Sequence, residues 1–344
     1  MRIGIVNDMP MAAEALRRAI TSTREHQVAW IARSGSDAVT ACVKETPGLV
    51  LMDLIMPGMD GVEATRLIMA SSPCPILIVT VSVETNAARV FEAMGYGALD
   101  AVDTPALGSG DIRQTAAPLL AKIASIARLT AESAKLRPDI RRPGSVTSGR
   151  PIVAIGASAG GPSAVAKLLS ALPADFPAAI VIVQHVDERF AAGMAEWLNG
   201  QSAIPVRLAR EDDRPLPGTA LLAGTNDHLI FKSVDRLGYT PEPRDYVYRP
   251  SVDVFFQSLC RKWTGKAVGV LLTGMGTDGA IGLKELRLAG HHTIAQDRAS
   301  SAVYGMPKAA AALDAATEIL PLTRIASGLV AAFPREAQKA RIVG

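Results

Sequence analysis

Residues 152–162 read IVAIGASAGGP. A short run of Ile, Val and Ala breaks into glycines and ends on proline, which is how a buried strand turning into a helix is written. Gly156 to Gly160 fit G-x-S-x-G, a sharp turn that exposes a serine, here Ser158, at the end of the strand. Pro162 suits the first turn of the next helix, where a backbone N–H has no partner to lose. The positive end of that helix would favour a developing oxyanion. A glycine-rich turn of this kind can also cradle a phosphate or a dinucleotide. However, Ser158 stands where a G-x-G-x-x-G fingerprint wants its second glycine, and the next apolar run, Ile180–Val183, leads to Gln184 and His185 rather than to a ribose-binding acid.

The same alternation continues outward. Downstream, apolar runs at Ala267–Leu272 and Thr293–Ala295 alternate with helical patterns at Ser163–Leu172, Glu188–Leu198, Val252–Trp263 and Ile281–Leu288. Short Pro- and Gly-broken segments between Pro205 and Tyr248 suggest a hairpin insertion. Upstream, runs at Ile3–Val6, Val28–Ala32, Leu49–Met52, Ile76–Thr80 and Ala98–Val102 alternate with amphipathic stretches such as Ala12–Ile20 and Ala87–Met94. The predicted fold class is α/β, with two doubly wound domains: a flavodoxin-like one over residues 1–125 and a mainly parallel-sheet one over 151–344. Residues 126–150, with Pro138, Pro143, Gly144 and several arginines, read as a flexible basic linker.

A length of 344 residues agrees with two domains, and 49% hydrophobic residues suffice for two cores. The net charge of +3 is too small to mark a polyanion partner, and residues 151–344 hold 20 basic against 18 acidic residues with no basic recognition helix. Nucleic acid is therefore not expected as a partner. Cys42, Cys74 and Cys260 form no CxxC, which argues for a reducing compartment and against a zinc site or disulfide framework. No apolar run approaches the ~18–20 residues of a membrane span or forms a signal peptide. The expectation is a soluble, cytoplasmic protein without direct membrane insertion.

Chemistry in open parallel sheets collects at the carboxyl ends of strands. In the first domain Asp8, Asp53 and Thr80 all stand there. Two carboxylates at one crevice can hold a hard cation such as Mg²⁺, beside which one of them can accept a phosphoryl group. Each could instead be an ordinary helix cap. In the second domain a nucleophilic serine needs a base, and the base an orienting group. Of five histidines, only His185 ends an apolar run there. Asp278 follows the run Ala267–Leu272 on a Gly-rich loop, where it could also cap the helix that begins after Gly279.

The run MDLIMPGMDG at 52–61 resembles the phosphoacceptor segment of bacterial response-regulator receivers, a likeness that extends over residues 1–125. It implies Asp53 as phosphoacceptor, Mg²⁺ held by Asp8, Asp53 and the Ile55 carbonyl, Thr80 as switch hydroxyl, and a histidine kinase as phosphodonor. Asn7 stands where the family usually has a second acid, and Thr104 where it usually has lysine. The segments IVAIGASAGGP, VIVQH, YRPSVDVFF, GVLLTGMGTDGA and IAQDRASSAVYGMP resemble, in order, the chemotaxis protein-glutamate methylesterases (CheB-type). That resemblance implies Ser158 as nucleophile, His185 as base, Asp278 as orienter and the Met275 N–H as oxyanion donor, with no cofactor in this domain. The implied reaction is phosphorylation-regulated hydrolysis of glutamate methyl esters on methyl-accepting receptors, with glutamine deamidation at the same site. The opening MRIGIVNDMP and Thr104 further resemble the Wsp-type surface-sensing branch. The rival reading is a non-enzymatic response regulator whose second domain binds nucleotide or nucleic acid.

Overall fold

A computed structural model describes residues 1–23, 25–83, 85–105, 112–132, 149–244, 246 and 248–334. The first half alternates strands β1 (Arg2–Val6), β2 (Gln27–Ala32), β3 (Leu49–Asp53), β4 (Ile76–Thr80) and β5 (Asp100–Asp103) with helices. The helices are α1 (Pro10–Thr21), α2 (Gly35–Lys44), α3 (Gly61–Ser71), α4 (Ala87–Gly95), α5 (Ile112–Thr115) and α6 (Ala117–Glu132). The strands pair in the order β2-β1-β3-β4-β5, all parallel. β3 and β4 are buried along their whole length, as expected of strands covered by helices on both faces. The strand order reverses between β1 and β3, which opens a crevice at their carboxyl ends.

One boundary differs from the sequence reading. α6 continues to Glu132, past the point where the linker was expected to begin, and Ile126 is buried with Ile123 and Leu119 against β1, β3 and β4. The spacing of these apolar residues keeps the helical face going, while the polar residues between them hide it. Residues 133–148 of the expected linker lie outside the described residues.

The second half comprises β6 (Ile152–Ala157), α7 (Gly161–Ser170), β7 (Ala179–Gln184), α8 (Glu188–Gln201), β8 (Val206–Leu208), β9 (Ala220–Leu222), β10 (His228–Phe231) and β11 (Leu237–Thr240). It continues through α9 (Val252–Lys262), β12 (Ala267–Leu271), α10 (Ala280–Leu288), β13 (His292–Gln296), α11 (Met306–Ala312), β14 (Glu318–Leu320) and α12 (Leu322–Ala332). Seven strands form a wholly parallel sheet ordered β14-β13-β12-β6-β7-β9-β8. Among the described residues, only β10 and β11 make the expected hairpin. β8 and β9 instead extend the main sheet: β9 pairs in parallel with β7, and β8 pairs in parallel with β9 at the edge.

The two domains share an apolar contact. α4 lies on α7 and α8, with the Phe91 ring 5.7 Å from Trp197. At Gly95 an added Cβ would fall 2.7 Å from the Ser163 Cβ, so glycine is what allows α4 and α7 to approach. One buried cluster runs continuously from Ile78, Phe91 and Met94 of the first domain to Val165, Leu169 and Ile182 of the second. The packing also brings Cys42 and Cys74 into one buried cluster as free thiols, a proximity their sequence spacing does not show.

Candidate active site and receiver site

In the first domain, Asp53 ends β3 with its carboxyl buried. The Asn7 side-chain amide donates to its Oδ2 at 2.9 Å, and the Ile55 N–H donates to its Oδ1 at 3.3 Å. Burial pushes this carboxyl up to about 6, and the nearby Asp8 charge pushes the same way, against the backbone N–H groups of Ile55 and Leu54. Gly61 is needed beside it, because a Cβ there would sit 2.0 Å from the Asp53 carbonyl oxygen. Thr80 is buried at the end of β4, and its Oγ1 accepts from the Asn86 amide at 3.2 Å. Thr104 follows β5 and donates its N–H to the Thr80 carbonyl at 2.8 Å. Asp8 follows β1 at the rim, partly exposed, and Ile55 is exposed. Arg89 pairs with Asp60, the residue that caps α3, so its charge is already engaged.

The second site spans the three adjacent strands β12, β6 and β7. Ser158 follows β6 and is 3% exposed; its N–H donates to the Thr273 carbonyl at 3.1 Å. The turn closes through the Gly161 N–H donating to the Ser158 carbonyl at 2.7 Å, with Gly160 at φ 77° just before α7. His185 follows β7 and continues the ladder to the Ala157 carbonyl. Its Nε2 lies 2.7 Å from the Asp278 Oδ2. The ionised carboxylate only accepts, so Nε2 carries the proton and Nδ1 presents a lone pair. That Nδ1 is buried with no hydrogen-bond partner among the described residues.

Asp278 does cap a helix, but not the one that follows it: α10 starts on Gly279 without a side-chain cap. Instead Asp278 faces the start of α9. It accepts the Val252 N–H at 2.7 Å, the Asp253 N–H at 3.0 Å and the Ser251 hydroxyl at 2.8 Å. Burial alone would raise its carboxyl. The His185 hydrogen bond, with the α9 N–H groups, outweighs burial and holds it below the usual range. The neighbouring Asp253 carboxyl, bonded to the Gly282 N–H at 2.7 Å, goes the other way, raised well above normal by burial and by the Asp278 charge. The two buried carboxyls are therefore pushed in opposite directions, Asp278 towards its ionised form and Asp253 towards its protonated form.

Met275 lies on the loop after β12, which closes directly on Ser158: a Cβ on Gly274 would come within 2.8 Å of the Ser158 Cβ. Several supporting residues escaped the sequence reading. Gln184 donates to the carbonyls of Ser158 at 2.9 Å and His185 at 3.2 Å, tying the two loops together. His228 accepts the Ser251 N–H at its Nδ1 and bonds the Pro243 carbonyl through Nε2, which anchors the segment leading to Asp278's partners. Tyr248 stacks on His185 with ring centroids 3.6 Å apart. Gln184 lies within VIVQH and Tyr248 and Ser251 within YRPSVDVFF, but neither segment by itself assigned them a role.

The first domain overhangs this site. A cavity of about 280 Å³ is lined by Asp100 and Lys122 on one side and by His185, Asp187, Asn226 and Tyr248 on the other. Lys122 pairs with Asp100 of its own domain and reaches Asp187 of the other at 3.8 Å.

A receiver-type module set against a parallel-sheet output domain is the architecture of a response regulator. This chain belongs to the CheB methylesterase family. Residues 153–329 match the CheB methylesterase family and residues 3–115 the response regulator receiver domain. The chain is 60% identical to protein-glutamate methylesterase/protein-glutamine glutaminase 3 of Pseudomonas aeruginosa over 97% of its length and 100% of that protein. It is 61% identical to the corresponding protein 2 of Pseudomonas syringae over 97% of this chain and 99% of that one. The crystal structure of the Thermotoga maritima CheB methylesterase catalytic domain matches with a TM-score of 0.52 and 29% identity, covering 54% of this chain and 100% of that one. These matches leave the non-enzymatic reading without support. Among the described residues no helix is long and apolar enough to cross a membrane.

Proposed function

We propose that this protein hydrolyses methyl esters of glutamate side chains on methyl-accepting receptors, and deamidates glutamine there, under control of phosphorylation at Asp53. The observation that carries this is the 2.7 Å contact between His185 Nε2 and Asp278 Oδ2 at the strand end beside Ser158. With its proton held on Nε2, His185 takes the Ser158 proton at Nδ1 as the serine oxygen attacks the ester carbonyl. The Met275 N–H and the start of α7 stabilise the oxyanion. Methanol departs with the proton from Nδ1, leaving an acyl-serine. Water, deprotonated by the same nitrogen, attacks the acyl-serine, and glutamate leaves. With a glutamine substrate the first leaving group is ammonia. No cofactor enters these steps.

Asp53 is the phosphoacceptor in this reading, with a histidine kinase as donor. The hard oxygen donors of Asp8, Asp53 and the Ile55 carbonyl suit Mg²⁺, and the raised Asp53 carboxyl is what a buried site short of positive charge should show. When bound, the ion neutralises incoming phosphoryl charge. Asn7 supplies an amide to Asp53 where a second carboxylate would supply charge. The first domain restrains the second by covering the cavity between Lys122 and Tyr248, and phosphorylation loosens that cover. Adaptation in the cytoplasm, in a surface-sensing pathway of the Wsp type, is the role this reading assigns.

The deciding measurement is methanol release from methylated receptor membranes, with and without a phosphodonor, for wild type and Ser158→Ala. Release by the variant within tenfold of wild type would remove the serine from the mechanism.

A further inference from the structure

The hydrogen bond from His185 Nε2 to Asp278 fixes where one ring nitrogen lies. It does not by itself fix the plane of the ring, and that plane sets the direction of the Nδ1 lone pair. In this structure the plane is set by a different group. The Tyr248 ring lies almost flat on the imidazole, with centroids 3.6 Å apart and an interplanar angle of 14°. Tyr248 reaches the base from a loop that belongs to neither strand of the nucleophile–base pair.

We propose that Tyr248 is a positioning residue of the hydrolase: its ring holds the imidazole plane so that Nδ1 addresses the nucleophile. The proposal rests on the reading of Ser158 and His185 as nucleophile and base. Its physical content is that a bidentate constraint, one hydrogen bond plus one stacked face, leaves the base a single orientation. Productive geometry is demanding enough that small misplacement of a reacting group is costly. The aromatic face also carries negative charge density, which favours the imidazolium that forms as the serine proton arrives. Burial raises the Tyr248 phenol and keeps it neutral, so the ring adds no charge beside the base. Tyr248 also lines the cavity under the first domain. A residue that merely filled that cavity, or merely touched substrate, would occupy the same place, and the test has to separate these roles.

The test uses the full chain treated with Mg²⁺ and acetyl phosphate, with p-nitrophenyl acetate as the ester and a fluorophosphonate as the serine label. Wild type, Tyr248→Phe, Tyr248→Leu and Ser158→Ala are compared, with thermal melting as the control for folding. If Tyr248→Leu does not fold, Tyr248→Asn, suited to a partly exposed loop, replaces it and is read identically. The expected result is that Leu lowers kcat at least tenfold and slows Ser158 labelling in proportion, with KM within twofold. Phe, which keeps the ring, should restore kcat to within threefold of wild type. The proposal is overturned if Leu keeps kcat within twofold, if KM alone rises, or if Phe is as damaged as Leu. Failure of the underlying reading looks different: wild type would then label elsewhere than Ser158, or Ser158→Ala would keep its activity, and the Tyr248 proposal would fall with it.

Discussion

The same Asp278 oxygen that meets His185 Nε2 at 2.7 Å also accepts the Val252 N–H at 2.7 Å. The orienting carboxylate is thus clamped between a histidine and the positive end of α9. A carboxylate so placed stays ionised and immobile, which is what a base needs from its partner. Replacing Ser158 by Ala should therefore take methanol release to background without disturbing the fold; in another serine hydrolase such a loss is about 10⁶ in kcat. Asp278→Asn should cost about 10⁴, because an amide can no longer enforce the tautomer with the proton on Nε2. Steady-state kinetics with circular dichroism as a control checks both.

Ser251 is the outer support of this clamp, since its hydroxyl donates to Asp278 and accepts the Val254 N–H as the cap of α9. Ser251→Ala should lower stability by about 1 kcal/mol as a lost helix cap. It should also lower kcat several-fold by leaving the carboxylate one donor short. Melting and kinetics on the same sample would show whether the two losses travel together; a stability loss with unchanged kcat would mean that the two backbone N–H groups hold Asp278 alone.

Asp53 should shape the pH dependence of stability. Its carboxyl ionises at about 6 when folded against an ordinary 3.8. Between those values the folded state holds a proton that the unfolded state has released, so stability falls as pH rises through that window. Above it the penalty is complete. Asp53→Asn should then stabilise the protein at pH 7.5 by up to about 3 kcal/mol, and the gain should vanish near pH 4. Urea unfolding at the two pH values tests this, and added Mg²⁺ should stabilise wild type more than the variant.

Lys122 bridges Asp100 and Asp187 across the mouth of the cavity. Lys122→Glu places three carboxylates together, which favours separation of the domains. Basal esterase activity should rise several-fold without phosphodonor, while the fully phosphorylated rate stays near wild type. An unchanged basal rate would place the restraint in the α4 contact instead.

Thr104 offers a hydroxyl where receivers usually carry a lysine, and Arg89 is occupied by Asp60. A bond to a charged group typically contributes ~1.5–3 kcal/mol, enough to bias a two-state switch. Thr104→Lys should strengthen activation by a phosphodonor and leave the basal rate alone. No gain at matched phosphorylation would show that the cation is not missed.

Much of this was legible in the sequence because parallel sheets write themselves clearly. Buried strands are short apolar runs, and Asp8, Asp53, Ser158, His185 and Asp278 stand at or after their carboxyl ends, as expected from position alone. What stayed hidden is what arrives from elsewhere in the chain. Tyr248, Ser251 and His228 meet the site only through tertiary packing, and no local pattern encodes a stacked ring or a borrowed helix terminus. Asp278 was weighed as the cap of the helix next to it, whereas it serves one contributed by α9. Val206–Leu208 and Ala220–Leu222 were too short to reveal that they extend the main sheet. The end of α6 was missed for the opposite reason, since basic and polar residues made a helix resemble a tether.

The contact between Phe91 and Trp197 has a consequence for the protein once it is switched on. Phe91 is buried and Trp197 partly so while α4 rests on α8. If phosphorylation parts the domains as proposed, apolar surface is uncovered on each half as the serine becomes reachable. The opened molecule would then also be the adhesive one, drawn to apolar surface near its substrate.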